Sequence, residues 1–160
     1  MVFFSGHLLI SHSLIQSAES LSLDPFANER LSTELKNAKK TQDVVNALYA
    51  NLFTEQNEYF SSGDKWYQKD ATVVQETVKK RFIGYLVGGD DAANVKNRAK
   101  DVFDVIGIQG GYEGLDFSGT KLEGNKLIIS VKYKQEFVFN FQGLAAFDRE
   151  QRIVVTMWDI

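Results

Sequence analysis

Apolar residues recur at three- and four-residue spacing through the first two-thirds of the chain, and at every second position after Gly107. The first period is that of a helix with one buried face, the second that of a half-buried strand. Residues from about 3 to 22 carry Phe4, Leu8, Leu14, Ala18 and Leu21 at helical spacing. Asp24-Pro25 then reads as a restart, with Asp24 as N-cap and Pro25 at the first helical position, ahead of Phe26, Leu31, Leu35 and Ala38. Thr41 opens a third segment with Val44, Val45, Leu48, Tyr49, Leu52 and Phe53. The three pieces are compatible with one long, bent helix. Residues 57 to 69 form a loop rich in polar and aromatic side chains.

Asp70 is placed to cap a further helix marked by Val73, Val74, Val78, Phe82 and Leu86. The run "VGGDD" ends it and starts another, with the glycines as stop and Asp90 or Asp91 as cap. Val95, Ala99, Val102, Phe103 and Ile106 form the stripe of that helix. Beyond it Leu115 and Phe117 alternate with Asp116 and Ser118, so the first pair is expected inward. Asp116, Ser118 and Thr120 are expected to face out or serve turns. A tight reversal at Glu123-Gly124-Asn125 leads into Leu127, Ile129, Val131 and Tyr133. A bend near Gln135 precedes Phe137, Phe139 and Phe141; Gly143 and "LAAFDRE" form a second connection. The last strand sets Ile153, Val155 and Met157 on one face. The expected fold is α+β: a long N-terminal helix and further helices, then a C-terminal three-stranded antiparallel meander with one face on the helices.

Charge narrows the function. A net charge of -3 and scattered lysines and arginines give no basic stripe, which argues against a nucleic-acid partner. With no cysteine, disulfides, thiolate zinc sites and cysteine nucleophiles are excluded. The N-terminal run "MVFFSGHLLISHSLI" is apolar, yet lacks the basic start and small-residue cleavage site of a signal peptide. It reads as the end of an apolar helix whose beginning is missing.

No set of residues assembles an acid, a base and a stabiliser. His7 and His12 stand five apart, so on a helix they point to different sides. A zinc helix needs spacing of three or four and a nearby acid. Asp90-Asp91 lacks the alternating acids of a calcium loop. The glycines of "GIQGGYEG", residues 107 to 114, follow a helix and precede a strand, the reverse of a dinucleotide fingerprint. Ser118 in "DFSGT" has no nucleophile elbow around it. Tyr59, Phe60, Trp66 and Tyr67 are either a binding patch or, on the simpler reading, a cover packed on the end of the sheet. The expectation is a protein that is not an enzyme, with no catalytic residues, no cofactor and no metal.

The C-terminal third carries a resemblance. The corner "GLDFSGT" (114–120), the strand "IISVKYK", the bend "FNFQGL" (139–144) and the last strand "QRIVVTMW" (151–158) stand in order. Together they resemble the ectodomain end of TadE-like pilus-assembly proteins of Gram-positive bacteria. The resemblance implies a pilin-like arrangement and a non-enzymatic, membrane-anchored minor pilin or pseudopilin. Such a subunit serves a tight-adherence (Flp-type) pilus or secretion system at the cell surface, and its partners are the membrane and other subunits. On this reading residues 1–40 are a membrane-proximal helical segment lacking part of its transmembrane span, and residues 41–160 an extracytoplasmic head that folds without residues 1 to 20. The chain departs from the family pattern in having no proline in the bend. Ile153 and Val154 stand where small and basic residues are common, and Ser11 stands where a prepilin-peptidase site after Gly6 has Glu. The alternative is a soluble ligand-binding or protein-interaction domain with an apolar pocket between sheet and helices, lined by Tyr133, Phe137 or Phe139.

Overall fold

The computed structural model describes residues 2–31, 59–60, 65–88, 93–136, 146–158 and 160. Among them helix α1 spans Val2–Pro25, α2 Ala71–Val87 and α3 Val95–Ile106, and strands β1, β2 and β3 span Lys121–Glu123, Lys126–Gln135 and Phe147–Thr156. The strands form an antiparallel sheet in the order β1-β2-β3, so the fold is α+β as expected.

Helix α1 has an inner and an outer face. Ile10, Leu14, Ala18 and Leu21 are buried, whereas Leu8, expected on the same stripe, is 54% exposed. Leu8 lies six residues before Leu14, which places them about 120° apart on a helix. Ile10, one turn before Leu14, takes the inner position instead. The helix packs chiefly on α2 and also against β3. Its inner residues share one core with Val78, Phe82, Phe103, Leu127, Ile129 and Val131. That packing runs against a head that folds without residues 1 to 20.

Asp24-Pro25 does not restart a helix. α1 continues through Pro25, and the chain passes directly into a π-helical turn over Phe26–Leu31. Proline has no N–H to give the carbonyl one turn back, and the backbone widens at the next residue. Asp24 lies inside α1 and not at a helix start; its carboxylate accepts from Arg81 at 3.0 Å and from the Trp66 indole at 2.9 Å. Arg81, on α2, is buried and also donates to Ser20. A charged clamp therefore ties the end of α1 to the middle of α2.

Local signals account well for the rest of the helical part. The Asp70 carboxylate accepts from the Val73 N–H at 3.0 Å and caps α2, and Gly88 closes that helix. In α3, Val95, Ala99, Phe103 and Ile106 are buried. Its N-cap is Asn94, so Asp90 and Asp91 do not hold that position; both lie outside the described residues. The segment from Thr41 to Phe53 and the bend with Phe137, Phe139 and Phe141 lie outside them too. Trp66 and Tyr67 are buried and do pack down, but onto the helices: Trp66 bonds Asp24, and the Tyr67 hydroxyl donates to Glu29 at 2.8 Å.

The hairpin turns at Gly124-Asn125, between paired Glu123 and Lys126, with Gly124 at φ 60. The first strand is later than its alternation suggests. Leu115 and Phe117 are buried, but Asp116 makes only an isolated bridge to Lys132, and β1 proper starts at Lys121. Between them the chain turns at Ser118-Gly119, and Thr120 is buried rather than outward. Its hydroxyl donates to the Ser130 carbonyl and accepts from the Ser130 N–H, both at 3.2 Å. A side chain thus satisfies two backbone groups that the interrupted ladder leaves open. The third strand is longer than expected: Phe147, Asp148, Arg149 and Glu150 belong to β3, not to the connection. Asp148, Arg149 and Glu150 are consecutive charges of alternating sign, and the Arg149 guanidinium lies over the Phe147 ring at 4.9 Å.

Candidate functional site

Among the described residues, polar or exposed apolar groups come together on the outer face of α1, along the seam between α1 and the sheet, and at the open end of the sheet.

On the outer face Leu8, Ile15 and Leu23 are 54%, 45% and 50% exposed. At 100° per residue they fall within an arc of about 80° and a length of about 22 Å along the helix. His12 and Glu19, both exposed, lie in the same arc. Single exposed aliphatics are ordinary, whereas an aligned row is the pattern of a helix that packs on two sides.

Along the seam, Gln151 of β3 holds α1 to the sheet. Its carbonyl accepts from Ser11 at 2.7 Å, and its amide donates to the Tyr133 hydroxyl at 2.8 Å and meets His7 Nδ1 at 3.1 Å. His7 is therefore a half-buried structural contact, while His12 faces solvent, so the two histidines do not converge. Among the described residues no group of His, Cys, Asp or Glu is arranged to hold a metal ion. Burial pushes the Tyr133 phenol above its ordinary 10.0, against the opposing pull of the Gln151 bond and the Arg149 charge. As pH rises, the unfolded phenol loses its proton first. The stability from this group is thus complete below a pH of about 10 and is lost above it, toward the folded value. Replacing Tyr133→Phe should flatten the decline of unfolding free energy with pH above about 10, as read by urea titrations. At neutral pH the same change should cost about 0.5–1.5 kcal/mol for the lost hydrogen bond.

At the open end of the sheet, a hollow of about 850 Å³ is lined by the acids Asp116, Asp148 and Glu150 and the bases Lys132, Lys134 and Arg149, with the chain near Gln109 and Gly114. Lys132 stands across from Glu150, and Lys134 from Asp148, on the face turned away from α1. The cross-strand pairs set opposite charges against each other, which leaves no excess of either sign to select an ionic ligand. Asp116 accepts from the Ser118 side chain and from its N–H at 2.8 Å, and these bonds hold its carboxyl below the usual carboxylate range. Asp116 lines the hollow beside Lys132, and Ser118, bonded to Asp116, is not among the residues that line it.

The glycines of "GIQGGYEG" stop α3 and turn the chain. Gly107 closes the helix at φ 75, and a Cβ there would stand 2.8 Å from the Glu136 carbonyl oxygen. Lys79 of α2 fastens the segment from below. Its ammonium lies 4.3 Å from the Tyr112 ring centre and donates to the Leu115 carbonyl at 3.3 Å. Burial lowers its pKa, with the Glu113 charge acting against that shift.

Among the described residues between sheet and helices, the Phe82 and Phe117 rings pack tilted with centroids 5.5 Å apart, and Leu127, Ile129, Val131 and Tyr133 are buried. Among the described residues no helix is long and apolar enough to cross a membrane. No family model matches the chain, and no curated protein and no solved structure matches it.

Proposed function

We propose that this protein is a non-enzymatic assembly subunit, of the minor-pilin or pseudopilin kind, in a tight-adherence-type pilus or secretion system. It would be membrane-attached and work outside the cytoplasm, with the helix-and-sheet body as its head. The observation that carries the reading is the outer row of α1, with Leu8, Ile15 and Leu23 exposed on a helix whose other face is core. A helix of that kind is stable within its own head and still offers an apolar seam to a neighbouring helix or to lipid. The ordered segments from "GLDFSGT" to "QRIVVTMW" support it by resemblance. Of the residues the pocket alternative names, Tyr133 is buried in the common core, and Phe137 and Phe139 lie outside the described residues.

The test replaces the row, Leu8→Gln, Ile15→Gln and Leu23→Gln together, in the native host. Exposed substitutions that keep good helix formers should leave stability within about 0.5 kcal/mol per site. The variant should melt like the parent but be lost from the membrane and surface-filament fractions. A variant that stays in those fractions at parental levels overturns the proposal.

A further inference from the structure

The two edges of the sheet are unlike. β1 is three residues long and carries an ion pair between Lys121 and Glu123. β3, at the other edge among the described residues, is ten residues long. Its register with β2 runs unbroken from Gln135↔Phe147 to Lys126↔Thr156. Edges are ordinarily blunted by shortness, proline, a bulge or charge, and of these β3 has only charge, at Asp148, Arg149, Glu150 and Arg152. Its backbone is a regular template for one more strand.

We propose that this edge pairs with the same edge of a second copy of this chain, β3 against β3 in antiparallel register centred on Gln151. The side chains select that occupant and that register. Asp148, Glu150, Arg152, Val154 and Thr156 share the outward face and are all exposed. Centring on Gln151 sets Glu150 of each copy opposite Arg152 of the other, so the attraction occurs twice across the two-fold axis. On the inward face the same register sets Phe147 opposite Val155, both half-buried in the single chain. Sliding by two residues along the pairing brings Glu150 opposite Glu150 in one direction and Arg152 opposite Arg152 in the other. A slide by an odd number turns the outward face of one copy to the inward face of the other. One register therefore joins the two sheets with charges matched. The proposal does not depend on the outer row of α1, which lies on another surface.

The experiment is a charge exchange read by analytical ultracentrifugation of the 160-residue chain. The parent should be a concentration-dependent dimer. Arg152→Glu alone creates two Glu–Glu pairs, and Glu150→Arg alone two Arg–Arg pairs. Each should weaken the dimer by about 100-fold or more, on the scale of like charges placed face to face. An equimolar mixture of the two variants restores both opposite-charge pairs and should dimerise with near-parental affinity. Matched thermal melts of the separate variants show that a monomer is a folded monomer. Amide exchange on the parent gives a second readout: protection along Asp148–Val155 should rise with protein concentration. A parent that remains monomeric at several hundred micromolar on the scale of weak interfaces overturns the proposal. So does a dimer indifferent to both reversals, or a mixture of folded variants that stays monomeric.

Discussion

Replacing Asp24→Ala should lower the unfolding free energy by about 3–5 kcal/mol, the cost of leaving a buried charge without its partner. The Arg81 side chain is 5% exposed and that of Asp24 17%, and their closest atoms are 3.0 Å apart. The same substitution takes away the acceptor of the Trp66 indole N–H. One residue thus joins α1, α2 and the turn at Trp66. The pair need not be worth that much in net terms, because removing both charges avoids the desolvation cost as well. Combining Asp24→Ala with Arg81→Met should therefore recover a large share of the loss. Urea titrations of the parent, both single variants and the double variant measure the coupling. Additive losses would show that the clamp is not a clamp.

Removing residues 2 to 22 should abolish cooperative unfolding altogether. Ile10, Leu14 and Leu21 are buried within the common core. Each aliphatic side chain of that size contributes about 1.5–3 kcal/mol on burial. Together they match a large part of the roughly 5–15 kcal/mol by which a domain is stable. The cut also uncovers the faces of α2 and the sheet against which α1 lies, and removes Ser11 from Gln151. The shortened chain should show no sigmoidal melt, and should bind a dye that reports exposed apolar surface. The contrast with the outer-row substitutions, which should leave the melt unchanged, separates the two faces of one helix.

How much of this was legible beforehand depended on the distance over which each signal acts. The Asp70 cap, the Gly107 stop and the Gly124-Asn125 reversal are decided by neighbours within a few residues, and all three stand where the sequence places them. The alternation from Leu127 to Tyr133 is as strong, because one face of β2 is wholly buried. Asp24-Pro25 misled for the opposite reason. Its local pattern is that of a helix start, but Asp24 is engaged by an arginine on α2, a contact that no local spacing reveals. The phase of α1 was misjudged at Leu8 since apolar residues occupy both of its faces, and periodicity alone does not say which row is inside. Thr120 and the charged first half of β3 were hidden for a related reason. Each is fixed by a strand partner, Ser130 in one case and Lys132 to Gln135 in the other. For the candidate site the sequence excluded more than it assigned. It offered no catalytic set, and it did not show that Gln151 links His7, Ser11 and Tyr133.

In the proposed role, α1 is at once part of the core and a surface for assembly. Native-state amide exchange on the 160-residue chain tests the first half, on which the second depends. The amides of α1 from Ile10 to Leu21 should exchange only with global unfolding, with the same free energy as those of α2 and of β2 from Leu127 to Val131. Exchange from α1 at a free energy several kcal/mol below that of β2 on the scale of local opening would contradict it, and would make the helix a detachable arm rather than a wall of the core.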